Sequence, residues 1–232
     1  MLNHIVGFGL IPKPFFCNFV FLIVILTCAD FTSVACRRIY YFTKVANKSE
    51  LRKQALTQRK SLTEDQADQL NEALLVAFKT LDFSNINSIH LFLPTLHHNE
   101  PNTFLFIDWL QLNHPKIDLV VPKANFETNT MSNYIFKDLA DLKNNHYQIP
   151  EPQNAKPFNG VLDLVLVPLL AFDQKGYRVG YGKGFYDRFL ENTDTQKIGL
   201  SFFEPVAQIN DVHLNDIRLD KCITPNKIYS FV

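Results

Sequence analysis

The chain has 232 residues, with 23 lysines and arginines balanced by 23 aspartates and glutamates. A chain without net charge has no long-range field for nucleic acid or an anionic membrane surface, so we expect no nucleic-acid partner and only a local anion site. Hydrophobic residues make up 47% and phenylalanines number 21, which excludes a disordered chain and predicts a packed domain, with or without an appendage.

Residues 1–46 differ in composition from the rest and form an apolar N-terminal extension. The run "FFCNFVFLIVILTCA" is about fifteen residues long, shorter than the roughly 20 that a membrane-spanning helix needs. Three interpretations stay open: a signal peptide with a site at Ser33-Val34-Ala35, an anchor or targeting extension, or a start assigned too early, the true one lying near Val45 or Leu51. Membrane association follows only if this run is retained. The catalytic domain is predicted to span residues 47–232.

Cysteine usage indicates the compartment of that domain. Cys222 is its only cysteine, because the other three lie in the extension. No CxxC pair or Cys/His spacing predicts zinc, and one cysteine supports no disulfide framework. We therefore expect a reducing compartment, the cytoplasm.

Three amphipathic segments in the first half predict helices. In "NKSELRKQALTQRK", Lys48 and Arg52 lie one turn apart on one face, which is either a solvated face or part of a site. Ser61 and Glu64 have the spacing of a capping box for a second helix with apolar residues every three or four positions. The stretch "TFLFIDWLQL" (103–112) predicts the third helix.

Apolar runs separate these helical patterns and predict strands at "SIHLFLPT" (88–95), "IDLVVPK" (117–123), "VLDLVLVP" (161–168) and "KIGLSF" (197–202), with a final one in "CITPNKIYSF". Such alternation predicts an α/β fold of three layers, a mostly parallel open sheet with helices on both faces. Residues 124–160 are predicted to be irregular, with one short strand at "SNYIFKDL". Ligands of open sheets bind beyond the carboxyl ends of the strands.

The stretch "RVGYGKGFYDR" (178–188) follows the third strand. Gly180, Gly182 and Gly184 let the backbone approach a ligand and turn its amides toward an anion, ahead of a predicted helix at "FYDRFL". Arg178 and Lys183 add cations that suit phosphate. The alternative is a glycine-rich turn with a solvated lysine.

This stretch does not match the Walker pattern GxxxxGK[ST], since Phe185 and Tyr186 stand where a hydroxyl would bind magnesium. A carboxylate can hold the metal instead, which points to Asp187.

Polar residues also follow the first and third strands. His97 and His98 are adjacent and point in different directions, so we expect solvated loop histidines. Glu100 either caps the next helix or accepts hydrogen bonds from a substrate. Asp173 is expected to tighten the turn "DQKGY" through its side chain.

Four segments taken together, "KSELR", "NEPNT", "VPK" and "VPLLAFDQKGYRVGYGKGFYDRFL", resemble 5-formyltetrahydrofolate cyclo-ligases, also called methenyltetrahydrofolate synthetases. The likeness runs from about residue 47 to the C-terminus. It implies ATP- and Mg2+-dependent closure of 5-formyltetrahydrofolate to 5,10-methenyltetrahydrofolate, with release of ADP and phosphate. In the mechanism that the resemblance implies, the formyl oxygen attacks the γ-phosphate, N10 attacks the activated carbon, and phosphate leaves.

The resemblance also implies roles for particular positions. It assigns ATP binding to Lys48, Ser49, Glu50, Leu51, Arg52, Arg178, Val179, Gly180, Tyr181, Gly182, Lys183, Gly184, Phe185 and Tyr186. It assigns folate binding to Glu100, to Leu93 or Thr95, and to Tyr181, Gly182, Lys183, Gly184 and Phe185. It assigns Mg2+ to Asp187 and Asp216, and chemistry to Lys183, Arg178 and Tyr186. Relatives often have tyrosine where this chain has Phe185.

Two other classes of function stay open. One is a module that binds nucleotide or folate without turnover; the other is an ATP-independent isomerase or a coenzyme A transferase-like enzyme. A monomer is expected in each case.

Overall fold

The computed structural model of the chain describes residues 45–231. The apolar run of the extension lies outside the described residues. Within residues 45–231, no helix is long and apolar enough to cross a membrane.

Helices and strands alternate along the described chain. The helices are α1 (Lys48–Lys60), α2 (Glu64–Phe78), α3 (Phe104–Asn113) and α4 (Phe185–Leu190). The strands are β1 (Val45–Ala46), β2 (Ser88–His90), β3 (Asp118–Asn125), β4 (Thr130–Ile135), β5 (Leu142–Asn144), β6 (Pro150–Pro152), β7 (Leu164–Pro168), β8 (Ala171–Phe172), β9 (Arg178–Val179), β10 (Gln196–Leu200), β11 (Gln208–Ile209), β12 (Lys221–Ile223) and β13 (Ile228–Ser230). Short 3-10 turns lie at Leu96–His98 and Leu139–Asp141.

A seven-stranded sheet in the order β13-β12-β10-β7-β2-β3-β4 forms the centre. From β12 to β3 all neighbours are parallel, and the two edge strands β13 and β4 run antiparallel to theirs. The predicted three-layer α/β fold with a mostly parallel sheet is confirmed. Successive strand residues point to opposite faces, so Ile89 packs against α2 and α3 whereas Val165 packs on the α4 side.

Two local predictions were wrong. The capping box of α2 is made by Thr63 and Gln66, because Ser61 ends α1 and donates its backbone N–H to Thr57 O and Gln58 O. Residues 124–160 are more ordered than expected: the one predicted strand is present as β4, but it forms a hairpin with β3, and β5 and β6 form a second hairpin. Hydrogen-bonded hairpins satisfy the backbone of this polar segment without a large apolar core.

The turn after β8 follows its prediction. Asp173 Oδ1 accepts hydrogen bonds from the backbone N–H groups of Lys175 (2.9 Å) and Tyr177 (3.0 Å). The same carboxylate accepts from Ile209 N through Oδ2. The turn thereby leads the chain from β8 back into β9, directly before the glycine-rich stretch.

Candidate active site

A cavity of about 790 Å³ lies beyond the carboxyl ends of β2, β3 and β7. This is the edge of the sheet where ligands of open α/β folds bind. Most of the site residues expected from the sequence line it: Lys48, Ser49, Arg52, Leu93, Thr95, Glu100, Arg178, Gly180, Tyr181, Gly182, Lys183, Gly184, Phe185, Tyr186, Asp187 and Asp216.

Three of the expected ATP-binding residues do not line the cavity. Leu51 and Val179 are buried in a small apolar cluster with Ala46, Val206 and Ile209. Glu50 is exposed in the first turn of α1, where its backbone N–H is capped by Asn47. Around α1, Ser49 and Arg52 lie within about 100° of Lys48 in one direction, whereas Glu50 and Leu51 lie about 200° and 300° around the helix. Val179 points away from Arg178 because successive strand residues face opposite sides.

The glycine loop, residues 180–184, joins β9 to α4. Gly182 (φ 92°) and Gly184 (φ 67°) have the left-handed backbone that favours glycine. Arg52 supports the loop from α1, since its Nε donates to Gly180 O across 2.8 Å. Lys183 is exposed and makes no ion pair within residues 45–231. The loop therefore presents a lysine to the cavity on a backbone held by an arginine.

Arg178 and Asp187 stand at the two ends of this loop. The Arg178 guanidinium donates to Asp187 Oδ1 across 2.8 Å, and it also donates to Ile217 O. Burial lowers the pKa of Arg178, and the carboxylate of Asp187 opposes that shift, so the guanidinium stays charged. Within the described residues, Asp187 Oδ2 makes no hydrogen bond.

Tyr186, expected to take part in the chemistry, lines the cavity and is half-buried, as Phe185 and Asp187 are. Its hydroxyl is buried and has no hydrogen-bond partner within the described residues. Burial raises the pKa of this phenol, so it stays protonated.

Asp216 approaches the same cavity from the loop before β12. It pairs with the Lys48 ammonium and accepts a hydrogen bond from His213 N across 2.7 Å. Magnesium takes one or two protein carboxylates and completes its shell with phosphate oxygens and water. Asp187 and Asp216 suit that donor set, and the described residues contain no group of three or more His, Cys, Asp or Glu that could hold a metal by themselves.

Glu100 forms the other end of the cavity and is 6% exposed. Its Oε2 accepts from Thr95 N across 2.6 Å, and its Oε1 accepts from the Tyr181 hydroxyl. Burial raises the pKa of Tyr181, and the charge of Glu100 raises it further, so the phenol remains a donor. The capping alternative for Glu100 was wrong, because the N-cap of α3 is Thr103 and the Glu100 carboxylate turns back toward Thr95.

The sequence prediction for the two histidines holds for only one of them. His97 is exposed, whereas His98 is half-buried, lines the cavity and stacks on Tyr181 with ring centroids 6.4 Å apart. Burial lowers the pKa of His98, and the neighbouring His97 lowers it further. A 3-10 turn over Leu96–His98 produces this difference, and the sequence carried no signal for it.

Aromatic residues from the two hairpins form a wall that the sequence did not indicate. Phe126 lies edge-on to Phe185 with ring centroids 5.3 Å apart, and it contacts Tyr147 at 4.5 Å. Asn145 fixes the second hairpin, since its Oδ1 accepts from the N–H groups of Tyr147 and Ile149. The only signal available was the presence of large apolar residues within an otherwise polar segment.

The fold and the site define an α/β protein with a ligand cavity. The cavity suits a ligand that places an anionic group at the glycine loop and a hydrogen-bond donor near Glu100. Comparison with known proteins makes the class specific. The model of the 5-formyltetrahydrofolate cyclo-ligase family matches residues 44–225, and the chain belongs to this family.

Individual relatives agree with that membership. The 5-formyltetrahydrofolate cyclo-ligase of Mycoplasma pneumoniae is 32% identical over 163 residues, which are 67% of this chain and 85% of that protein. The enzyme of the same name from Escherichia coli (strain K12) is 29% identical over 61% of this chain, and the match spans 66% of that relative's length. The NMR structure of 5,10-methenyltetrahydrofolate synthetase from Aquifex aeolicus has a TM-score of 0.67 at 31% identity, covering 79% of this chain and 92% of that chain.

Proposed function

We propose that this chain catalyses the ATP-dependent cyclisation of 5-formyltetrahydrofolate to 5,10-methenyltetrahydrofolate, with release of ADP and phosphate. The observation that carries the proposal is the joint lining of one cavity by the glycine loop with Lys183 and by the buried carboxylate of Glu100. Membership of the cyclo-ligase family supports the same reaction.

The phosphates of ATP are assigned to the glycine loop and to the cations of α1. Arg52 already binds the loop at Gly180 O, and Lys48 binds Asp216, which lines the same cavity. Lys183 has no competing partner in the described residues, so it can follow the charge of the transferred γ-phosphate. Positioning and charge neutralisation are the main protein contributions to phosphoryl transfer.

The folate is assigned to the Glu100 end. A buried carboxylate accepts hydrogen bonds from a ring with N–H donors, and hydrogen bonds to carboxylates are among the stronger ones in proteins. The Phe126 and Phe185 rings add apolar surface to the lining of the same cavity. The formyl oxygen then attacks the γ-phosphorus as the bond to the bridging oxygen of ADP breaks. N10 attacks the activated formyl carbon and loses its proton, and the C–O bond to phosphate breaks as the ring closes.

Mg2+ is assigned to Asp187 and Asp216. A bound divalent cation would neutralise phosphate charge during transfer. Asp187 can keep its bond to Arg178 through Oδ1 and offer Oδ2 to the metal, whereas Asp216 can exchange the Lys48 ammonium for the metal cation.

The test uses the full-length chain with 5-formyltetrahydrofolate, ATP and Mg2+, and follows the absorbance of the methenyl product. We expect product only when ATP and Mg2+ are both present, with one ADP released per methenyl group. Binding of ATP without any product would favour the non-catalytic module. Product formation without ATP would favour an ATP-independent enzyme. The cytoplasm and a monomeric state remain the expectations for this enzyme.

A further inference from the structure

Three cations lie on one stripe of α1. Lys48, Arg52 and Arg59 are separated by four and seven residues, which places them within about 40° of one another around a helix of 3.6 residues per turn. Each contacts a different part of the cavity. Lys48 binds Asp216 and Arg52 binds Gly180 O, whereas Arg59 is not among the residues for which the sequence predicted a role.

Arg59 is the deepest of the three, with 2% of its surface exposed. Its Nη2 donates to Leu169 O across 2.5 Å, at the end of β7. Its Nη1 donates to the Tyr181 hydroxyl across 3.2 Å and lies 3.9 Å from Glu100 Oε1. The guanidinium thus touches the backbone beyond β7, the glycine loop and the buried carboxylate at once.

Burying a guanidinium in this space costs free energy that an apolar side chain would not cost. Charges are costly to bury unless they are paired and hydrogen-bonded, and apolar residues of similar volume often stabilise a fold equally well or better. Arg59 also leaves its Nε without a partner in the described residues. Packing alone therefore does not account for an arginine here, whereas a need to hold the charge of Glu100 does.

Tyr181 connects the two ends of the cavity. It belongs to the glycine loop, yet its hydroxyl donates to Glu100 and accepts from Arg59. Any movement of the loop around phosphates changes what Tyr181 can reach at Glu100. Because Arg52 holds Gly180 and Arg59 holds Tyr181, α1 fixes both of these neighbouring loop residues from one helix.

We propose that Arg59 is a positioning residue: it orients Glu100 for the folate and, through Tyr181, couples folate binding to occupation of the glycine loop by nucleotide. This inference rests on the proposed function, since it takes Glu100 as the folate-binding carboxylate. Coupling of two binding sites is reciprocal, so each substrate then strengthens the binding of the other.

The first experiment measures kcat, both KM values and the melting temperature of the full-length chain. Arg59→Met removes the cation, Arg59→Lys retains a charge, and Lys53→Met makes the same change at an exposed position of α1. We expect Arg59→Met to raise the KM for 5-formyltetrahydrofolate by about tenfold or more, because a buried charged acceptor loses its partner. The KM for ATP should rise by a smaller factor, because ATP loses only the coupling and not the positioning of Glu100. Arg59→Lys should recover part of the loss, and Lys53→Met should match the wild type.

The second experiment measures 5-formyltetrahydrofolate binding with and without a non-hydrolysable ATP analogue. The wild type should bind the folate more tightly with the analogue present, and Tyr181→Phe, which removes only the hydroxyl, should lose that difference. If Arg59→Met does not fold, Arg59→Lys and Tyr181→Phe decide the matter alone, because both keep the packed volume.

The outcomes separate the inference from the proposed function. If the wild type is active and the Arg59 variants melt at a lower temperature but keep the wild-type KM for the folate, Arg59 only stabilises the fold. That result would overturn the inference and leave the proposed function standing. Coupling that persists unchanged in Tyr181→Phe would also overturn it. A wild type that forms no methenyl product overturns the proposed function, and the inference with it.

Discussion

The Arg178 guanidinium and the Asp187 carboxylate meet across 2.8 Å and join the two ends of the glycine loop. Arg178 belongs to β9, and Asp187 lies in the first turn of α4. The pair holds the loop in place using one carboxylate oxygen. The other oxygen remains available, so the residue can support the loop and hold a metal at the same time.

Asp187→Asn tests this double role. The amide keeps the shape but loses the charge, so we expect about a 100-fold lower kcat/KM and a higher Mg2+ requirement. The free energy of unfolding should fall by only about 1 kcal/mol, since Asp187 is one-third exposed and its pair is partly screened. Magnesium titration of the initial rate and urea unfolding measure the two effects.

Asp220→Asn is the matched control for that variant. Asp220 pairs with Lys197 at 3.1 Å and does not line the cavity. It should lose a comparable amount of stability while keeping the wild-type magnesium titration. A magnesium titration that is identical in Asp187→Asn and the wild type would remove Asp187 from the metal site.

Lys183→Ala separates chemistry from folding. The side chain is exposed and unpaired within the described residues, so the melting temperature should not change. Loss of a positioned cation at the transferred phosphate should lower kcat by about 100-fold or more. Lys53→Ala on the exposed side of α1 serves as the control, and equal turnover in the two variants would contradict the role of Lys183.

Neither the backbone conformation nor the packing of the protein itself requires glycine at position 180. Its φ is not in the left-handed region, and a Cβ built on it meets no atom within 4 Å. Gly180→Ala should therefore leave stability unchanged or slightly raised, because alanine restricts the unfolded chain. If the open space belongs to ATP, the same variant should raise the KM for ATP by about tenfold.

Gly176→Ala provides the opposite case. Gly176 has φ 84°, and an added Cβ would lie 2.7 Å from the Phe231 ring. We expect a loss of about 1–3 kcal/mol in the free energy of unfolding with normal KM values for the folded fraction. An unaffected KM for ATP in Gly180→Ala would mean that the ligand does not approach the backbone there.

The sequence predicted the central layers well because they follow from periodicity. Continuous apolar strands such as β7 leave few alternatives to a buried parallel sheet. The hairpins over residues 124–160 escaped prediction because their strands are polar and short, and turns set their register rather than burial.

Residue type alone was enough to predict that the glycines and Lys183 lie at the ligand cavity, which they line. It was not enough for residues whose place depends on distant partners. Arg59 lies 41 positions before Glu100 and 122 before Tyr181, so no local pattern distinguishes it from the solvated Lys60 beside it. Only the docking of α1 against the carboxyl end of the sheet brings the three together.

The buried histidine of the central strand predicts a pH dependence of stability. His90 of β2 is fully buried, and neither ring nitrogen has a hydrogen-bond partner within the described residues. The rings of Tyr186 and Phe189 pack against it at 5.9 and 5.1 Å. Burial lowers the pKa of His90 to about 3, from an ordinary value near 6.5.

Between those two pKa values the unfolded chain binds a proton that the folded chain does not. The contribution of neutral, buried His90 to the free energy of unfolding is therefore complete above pH 6.5. It is lost as the pH falls, at about 1.4 kcal/mol per pH unit. From pH 7 to pH 5 the loss should be about 2 kcal/mol. The free energy of unfolding, measured with urea at both pH values, should change less in His90→Leu than in the wild type, by that amount. His97→Gln at an exposed position should show the same change as the wild type. An equal pH dependence in His90→Leu and the wild type would show that another group is responsible.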